Sequence, residues 1–395
     1  MSRLFLSLAP LAASLFACGP VESPERLPQS LVLAMAVLGE NEDGSPKPLP
    51  ARAGILTREG GEWRYRFLED EDSNVFHKVM PYGTEGLLTL GGSKAAVKLW
   101  RPDGRTETLW EADFGGKFSR MRDAEVGDIY GDGKLSIAAG THDQGVVAVL
   151  RPDGSGKFSV EELDRTPETI VHEIELGDLN GDGLLEIYAT PTAPNKVDGT
   201  PQPGRVVRYV PAAGEGPVEV ADLGSRHAKE ILVADVDGDG RHELYVSVEA
   251  VSGGTVEIRR YDADTDPAAE NVVVRLDDKL CRFLTAGDVD GNGTKEIVAA
   301  THKRGLFLLR PGSPWKIDLI ASDSSGFEHA AILADLDSDG RDELYVASDD
   351  QAEVRRYDWN AEGWKREVLV KFDDGLGRFT WNLTFAPVTV LPPGS

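Results

Sequence analysis

The chain has little cysteine, and this limits how its fold can be held together. Among 395 residues, only Cys18 and Cys281 carry a thiol. If Cys18 is modified, as argued below, no intramolecular disulfide remains for Cys281, which we then expect to be a buried packing residue. Apolar residues make up 41% of the chain, enough for a large core in two ordinary domains or one repeat array. Packing and bound ions are therefore the expected stabilisers.

Basic residues are scarce relative to acidic ones. The chain contains 42 Lys and Arg against 67 Asp and Glu, which gives a formal net charge of −25 at pH 7. Proteins that bind nucleic acid need basic surface, so this balance argues against such partners. The sequence also lacks a nucleophile elbow, an HExxH zinc motif and a phosphate-binding glycine loop. These absences favour a binding protein over an enzyme of a common hydrolytic class.

An apolar run near the amino terminus is too short for a comfortable membrane span. It extends from Leu4 to Phe16 and is interrupted only by Ser7, Pro10 and Ser14. A basic residue followed by a run of this length is typical of a signal peptide.

The residues that end this run, Leu15-Phe16-Ala17-Cys18-Gly19, resemble a bacterial lipobox. The resemblance implies cleavage before Cys18, acylation of its thiol and anchoring to a membrane through the lipid. We therefore expect a signal peptide over residues 1–17, a lipidated tether over 18–30, and a place in the bacterial cell envelope, at the outer membrane, in the periplasm or at the cell surface. A plain secretory signal with an incidental cysteine is the alternative.

One short acidic sequence motif recurs along the chain. It places oxygen side chains at loop positions 1, 3, 5 and 9, which suits a hard cation such as Ca²⁺, and a Gly at position 6 permits the sharp turn. A weak copy contains Asp128 and Asp132, with Tyr130 and Ser136 in place of two ligands. First positions are 50, 57, 53 and 47 residues apart, which indicates a repeat architecture. The four full copies are Asp178, Asn180, Asp182 and Glu186; Asp235, Asp237, Asp239 and Glu243; Asp288, Asp290, Asn292 and Glu296; Asp335, Asp337, Asp339 and Glu343.

Short β-rich runs separated by Gly, Asp and Pro surround each copy, about four strands per 50 residues. This spacing predicts an all-β fold, a seven-bladed β-propeller over residues 31–395. The segment from Phe372 to Phe379 mirrors Leu276 to Phe283 and predicts a last inner strand beside Leu31 to Leu38. Such a strand would close the ring and remove an exposed sheet edge.

The loops and the strands around them resemble the FG-GAP/VCBS repeats of integrin α-subunit propellers and of many secreted bacterial proteins. The resemblance covers about Thr84 to Val390 well and Leu31 to Gly83 weakly. It implies calcium-binding loops between the first and second strands of several blades. About four structural Ca²⁺ sites are expected, with Mg²⁺ less suited, and an EF-hand is excluded because the acid at position 9 opens a strand. The resemblance also implies ligation by the backbone carbonyl at position 7, from Leu184, Arg241, Thr294 and Arg341.

A basic residue lies six positions before the first ligand of each loop, and two further matches extend this set to all seven blades. The inner strand begins at the face opposite the cation loops, so a ring of positive charge is predicted at the channel mouth. Two matching Thr-His phrases lie on connections that reach the same face. The predicted ligand-binding residues are His77, Arg122, His172, Lys229, Arg282, His329 and Arg378 in the ring, with His142 and His302 on the connections.

Two functions remain open at this point. The first is a monomeric, lipid-anchored propeller that binds an anion at its mouth, either an acidic glycan or a carboxylate of a protein partner. The second is a polysaccharide lyase or dehydratase that acts there on acidic sugars, with a histidine as base. A structural alternative is that the ring only forms ion pairs with neighbouring acids such as Asp123, Glu173, Glu230 and Glu328.

Overall fold

The architecture was determined from a computed structural model of the protein, which describes residues 28–115 and 119–393. The predicted signal peptide and Cys18 lie outside the described residues. Within this part of the chain the regular secondary structure is almost entirely β-strand. The helical segments described are three single turns of 3₁₀-helix, at Pro211–Ala213, Asp349–Gln351 and Val388–Val390. None of them has the length and apolar character of a membrane-spanning helix.

The strands form seven antiparallel sheets, which are the blades of the predicted seven-bladed β-propeller. Blades two to seven each contain four strands paired in chain order.

The strand bounds of the first four blades are as follows. Blade one contains β1 Gln29–Glu40, β2 Pro46–Pro48, β3 Ala51–Glu59 and β4 Glu62–Asp70. Blade two contains β5 Phe76–Tyr82, β6 Gly86–Gly91, β7 Ala95–Trp100 and β8 Thr106–Ala112. Blade three contains β9 Met121–Gly127, β10 Ser136–Thr141, β11 Val146–Pro152 and β12 Phe158–Arg165. Blade four contains β13 Ile170–Gly177, β14 Glu186–Thr192, β15 Arg205–Val210 and β16 Glu215–Asp222.

The remaining blades repeat the pattern. Blade five contains β17 Ala228–Ala234, β18 Glu243–Val248, β19 Val256–Tyr261 and β20 Val272–Leu276. Blade six contains β21 Cys281–Gly287, β22 Glu296–Thr301, β23 Leu306–Arg310 and β24 Lys316–Ala321. Blade seven contains β25 Ala331–Ala334, β26 Glu343–Ser348, β27 Glu353–Asn360 and β28 Gly363–Lys371. The last strand is β29, Gly377–Pro387.

The ring closes as predicted, because the carboxyl-terminal strand completes the amino-terminal blade. Strand β29 pairs with β1 from Gln29 opposite Pro387 to Leu38 opposite Gly377. It is the inner strand of blade one, and β1, β3 and β4 follow it outward. The edge of β1, whose backbone N–H and C=O groups would otherwise be unpaired, is thus covered by β29.

Apolar side chains pack between blades rather than along the axis. Alternate residues of β1 show why: Leu31, Leu33 and Met35 face blade seven, while Val32 and Ala34 face blade two. Side chains of successive strand residues point to opposite faces, so each blade buries both of its faces. Seven such clusters are found among the described residues, one between each pair of neighbouring blades. Cys281 belongs to the cluster between blades five and six and is buried, as expected.

The acidic loops lie where the repeat predicts, between the first and second strands of their blades. They connect β13 to β14, β17 to β18, β21 to β22 and β25 to β26, and the weak copy connects β9 to β10. The glutamate at position 9 is the first residue of each following strand. Gly at position 6 has a positive φ, +85° at Gly183 and +89° at Gly240, as the sharp turn requires.

Candidate functional site

A cavity of about 470 Å³ opens at the end of the propeller opposite the acidic loops. The starts of the inner strands and the connections between second and third strands surround it. This volume is in the range of small-molecule sites. The lining residues are His77, Arg120, Arg122, His142, Asp143, Ile170, His172, Pro194, Asn195, Val197, Lys229, Arg282, Phe327, Glu328 and Trp381.

A β-bulge places the basic side chains of the inner strands in this cavity. In β9, Met121 and Asp123 pair with consecutive residues of β10, and Arg122 is left out of the ladder. The same irregularity leaves out His77 in β5, Lys229 in β17 and Arg282 in β21. A bulge redirects the extra side chain, which in these strands lies at the cavity instead of between blades.

Blade four carries a wider version of the bulge. His172 and Glu173 both lie between the paired residues Val171 and Ile174. The backbone N–H of Glu173 donates to the Thr190 hydroxyl at 2.9 Å. Five of the seven predicted ring residues, one in each of blades two to six, therefore line the cavity.

The two other ring residues lie elsewhere. His329 is fully buried beside Thr301 and Ser324, with Nδ1 2.7 Å from the Thr301 carbonyl and Nε2 2.7 Å from the Ser324 hydroxyl. Arg378 is paired with Asp374, and its guanidinium stacks on Phe372 at 4.1 Å. Neither residue is among those that line the cavity.

In blade one the bulged residue is Trp381, three positions after Arg378. Thr380 and Asn382 pair with consecutive residues of β1, so Trp381 is left out of the ladder and lines the cavity. The sequence register is offset here because no acidic loop follows β29 to anchor it. Of the two histidines on connections, His142 lines the cavity, whereas His302 packs against Phe327 outside the lining.

Ion pairing separates the cationic residues of the cavity into two kinds. Lys229 and Arg282 share the buried Glu328 carboxylate; Arg282 Nη1 lies 3.1 Å from Glu328 Oε1, and Lys229 contacts Oε2. Arg282 also lies 3.7 Å from Glu249 and stacks over Phe327 at 4.4 Å. The structural alternative of simple ion pairing therefore describes these two residues.

Arg122 is different, because no carboxylate of the described residues lies within ion-pair distance of it. Its guanidinium lies over the Trp381 ring at 4.8 Å, and the residue is only 8% exposed. Burial lowers the pKa of Arg122, an effect that the Glu173 and Asp123 carboxyl groups partly offset from a distance. A buried guanidinium without a contacting anion is electrostatically incomplete.

Two of the acids that were expected to neutralise the ring, Asp123 and Glu230, contact backbone N–H groups of the neighbouring blade instead. Asp123 Oδ1 lies 3.0 Å from Lys78 Nζ, and its Oδ2 accepts the backbone N–H of Ile174 in the next blade at 2.8 Å. Glu230 accepts the backbone N–H of Leu284 at 2.8 Å in the same way. These carboxyl groups satisfy N–H groups that the bulges leave unpaired.

A layer of carboxyl groups thus lies beneath the basic layer. Burial raises the pKa of Glu230 to about 8, and burial together with Asp123 and Glu230 raises the pKa of Glu173 well above its usual range. Burial opposes the charge of Lys78, but Asp123 and Glu125 raise its pKa well above normal.

The histidines of the cavity are held neutral by burial. His172 is 6% exposed, and neither of its ring nitrogens has a hydrogen-bond partner among the described residues. Burial and the adjacent His227, whose ring is 5.1 Å away, lower its pKa well below normal. His77 Nδ1 donates to the Met121 carbonyl at 2.8 Å, and His142 Nδ1 lies 2.6 Å from Asp143 Oδ1.

Several lining residues were not found by sequence reasoning. Arg120 lies outside the register of the repeat, and Phe327 and Asn195 belong to connections whose course the strand pattern does not define. The place of Trp381 in the lining can be predicted only once the register between β29 and β1 is known, since it follows from the bulge in that pairing.

The acidic loops bring their oxygen atoms together as a cation site requires. In three loops the carboxylate oxygens lie within 4.8 Å of one another: those of Asp235, Asp237, Asp239 and Glu243; of Asp288, Asp290 and Glu296; and of Asp335, Asp337, Asp339 and Glu343. The chemistry and convergence of these oxygens fit a hard divalent cation such as Ca²⁺.

Backbone hydrogen bonds preorganise each loop. Asp235 accepts the N–H of Gly238 at 2.8 Å and of Gly240 at 3.2 Å, and Asp239 accepts the N–H of Arg241 at 2.8 Å. The first loop keeps this pattern around Asp178 and Asp182, with Asn180 supplying an amide oxygen at position 3. The position-7 carbonyls stay predicted ligands.

The weak loop departs from the pattern in its chemistry. Tyr130 occupies position 3 and donates its hydroxyl to Glu161 at 2.8 Å, away from the loop centre. Arg151 stacks over the Tyr130 ring at 4.2 Å and lies 2.7 Å from Asp132. This loop offers a cation fewer oxygens than the four full copies.

Comparison with known proteins agrees with this geometry. The model of the FG-GAP-like repeat family matches residues 128–189, from the weak loop into β14. A search of curated protein sequences finds no match.

Two solved structures illustrate the fold. A candidate 6-phosphogluconolactonase from Bacteroides fragilis is 14% identical, with 90% of this chain and 98% of that chain covered and a TM-score of 0.52. The Dos1 propeller is 11% identical, with 87% and 82% covered and a TM-score of 0.55. At these identities the likeness concerns the propeller fold alone.

Proposed function

We propose that this chain, a seven-bladed β-propeller with FG-GAP-like repeats, is a calcium-stabilised binding module whose mouth cavity holds an anionic ligand. The repeat and the fold support a binding role. The finer assignment depends on the cavity, which has four cationic side chains and two carboxylates in its lining.

Arg122 is the observation that carries the proposal. Its charge is buried against Trp381 and contacts no carboxylate of the described residues, so an incoming anion would supply the missing partner. A guanidinium offers two parallel N–H groups to a carboxylate, a geometry that ammonium groups lack. His172, with two unpartnered ring nitrogens, adds a hydrogen-bonding group to the same wall.

The remaining lining suggests the body of the ligand. Ile170, Pro194, Val197 and Phe327 give the cavity apolar walls, and Asn195 adds an amide. A carboxylate attached to a ring or apolar body fits this combination, as in an acidic sugar or the end of a peptide chain.

Calcium is proposed to stabilise the four full loops. The converging oxygens of the loops that begin at Asp235, Asp288 and Asp335 support this assignment, and a cation that binds only the folded state raises its stability. The residues that would hold it are those at positions 1, 3, 5 and 9, together with the position-7 carbonyls.

A lipid anchor on Cys18 and a place in the cell envelope complete the proposal. They depend on the sequence around Cys18, which resembles a lipobox. Metabolic labelling of cells with a clickable fatty acid would test acylation, with Cys18→Ser as the unlabelled control.

The ligand proposal predicts the effect of Arg122→Gln. Galacturonate and oligogalacturonides are suitable carboxylate probes, and galactose is the neutral control. The variant is expected to lose roughly tenfold or more in affinity for the carboxylate, because one charge-assisted pair contributes about 1.5–3 kcal/mol. Isothermal titration calorimetry measures the affinity.

Arg304→Gln is the matched control. Arg304 is exposed and paired with the exposed Asp277 outside the cavity. Its substitution therefore removes the same charge as Arg122→Gln without affecting the site. Equal affinity of both variants for every carboxylate that the wild type binds would contradict the proposal.

A second function, elimination from acidic sugars, is favoured by one observation. His142 and Asp143 form a close pair within the cavity lining, an arrangement by which an acid orients a histidine base. Incubation with acidic polysaccharides would show unsaturated products by their ultraviolet absorbance. Turnover lost in His142→Gln would identify a lyase or dehydratase, and binding without turnover a binding module.

A further inference from the structure

An arginine from the third strand of the blade reaches into each full cation loop. These guanidinium groups contact the acids at positions 3 or 9, which belong to the loop itself. Arg260 of β19 lies 2.8 Å from Asp237 and 3.7 Å from Glu243. The equivalent pairs are Arg208 with Glu186, Arg310 with Asp290 and Glu296, and Arg356 with Asp337 and Glu343.

In three of the four blades the arginine occupies the same register position. Arg208, Arg260 and Arg356 each pair directly opposite the tyrosine that follows the position-9 glutamate by two residues: Tyr188, Tyr245 and Tyr345. Opposite residues and residues two apart share one face of a sheet. Arginine, tyrosine and glutamate therefore converge at the loop from two adjacent strands.

The position-9 glutamate has only one oxygen left for a cation. Glu243 Oε2 accepts the backbone N–H of Val236 at 3.0 Å and the Tyr245 hydroxyl at 3.2 Å. Its Oε1 faces Arg260. The position-9 glutamates of the other three loops make the same contacts. Their Oε2 atoms accept the backbone N–H of position 2, and their Oε1 atoms contact the arginine.

We propose that these arginines are built-in counter-ions that compete with the cation for the position-3 and position-9 oxygens. In the cation-free protein a guanidinium neutralises part of the acid cluster and keeps the loop folded. Cation binding then requires the arginine to release at least Glu Oε1. The arginine thereby lowers the affinity of the loop for the cation, so that the loop is filled only where the cation concentration is high. This inference rests on the proposed role of the loops as calcium sites.

Arg260→Gln tests the competition in blade five. Calcium titrated calorimetrically into the variant in chelator-treated buffer should reveal one site tightened by about tenfold, equivalent to about 1.4 kcal/mol. Arg275→Gln is the control, because Arg275 lies on β20 of the same blade and pairs with Glu257 away from the loop. It should leave every calcium site unchanged.

Thermal melting distinguishes a counter-ion from a merely structural arginine. In EDTA, Arg260→Gln should melt below Arg275→Gln, since its acid cluster has lost the arginine that neutralises it. In saturating calcium the two melting temperatures should converge. A gap of equal size in both buffers overturns the inference, as does weaker calcium binding by Arg260→Gln, which would make the arginine a supporting contact.

The failure of the calcium proposal can be told apart from the failure of this inference. If neither the wild type nor Arg260→Gln binds calcium, the loops are not calcium sites, and the proposed competition by arginine is wrong as well. Binding by the variant and not by the wild type would support a strongly competing arginine.

Discussion

Several buried histidines make the stability of the fold depend on pH. Burial lowers the pKa of His227 and of His329 to about 4, and lowers those of His77 and His172 well below normal. Each stays neutral in the folded protein at a pH at which it takes up a proton when unfolded. These histidines thus destabilise the folded state as the pH falls below about 6.5.

His329 provides the clearest test, since it is fully buried and its pKa is lowered to about 4. Between pH 6.5 and 4 it should lower the free energy of unfolding by about 1.4 kcal/mol per pH unit. His329→Asn suits its positive φ of 58°. We expect the variant to be less stable than the wild type at pH 7 but to lose less stability on acidification.

Urea denaturation at pH 7.0 and 4.5 in EDTA measures this difference. Parallel losses of stability in the wild type and in His329→Asn would show that this histidine does not contribute to the acid sensitivity.

At the scale of elements, the acidic loops and the mouth bulges differ in how far the sequence predicts them. A loop is encoded locally: the spacing of Asp235, Asp237, Asp239 and Glu243 fixes both the turn and the start of β18. A bulge depends on which residue the neighbouring strand leaves unpaired. Alignment of the repeats therefore predicted correctly that Arg122 lies in the mouth. For blade one the same alignment predicted Arg378, whereas the pairing of β29 with β1 places Trp381 there.

The arginines of the third strands are an intermediate case. The sequence shows an arginine in the third strand of each of these blades. Its role depends on the register between the second and third strands, because each arginine meets its acids across the sheet. Sequence spacing alone does not carry that information.

Asp123 connects two inner strands, and its removal is expected to destabilise both. Asp123→Ala leaves the Ile174 N–H without its acceptor and deprives the buried Lys78 of a partner. Loss of one member of a buried pair costs about 3–5 kcal/mol. Urea denaturation at pH 7 should show a loss of this order.

Asp277→Ala is the control for this change. The Asp277 side chain is 88% exposed, and exposed substitutions usually alter stability by about 0.5 kcal/mol or less. Comparable stability of the two variants would exclude a bridging role for Asp123.

For the whole molecule, ring closure joins the two ends of the described chain. Deletion of residues 377–395 removes β29 and exposes the ladder of β1 from Gln29 to Leu38. An uncovered strand of this length is a template for intermolecular pairing. We expect the truncated protein to form oligomers or aggregates, as measured by size-exclusion chromatography with light scattering.

A synthetic peptide of residues 377–390 is the matching rescue. Added during refolding, it should restore a monomeric ring if the missing strand alone causes association. A soluble monomer without the peptide would mean that closure by β29 is dispensable.

The differing occupants of the bulges break the rotational symmetry of the propeller. The seven blades are alike in their backbones, yet the mouth presents Trp381, His77, Arg122, His172, Lys229 and Arg282 in succession around the axis. A ligand meets aromatic, imidazole and guanidinium groups at different azimuths, so rotating it by one blade changes every contact. The unequal lining therefore predicts that the proposed ligand binds in a single orientation, with one ligand per ring.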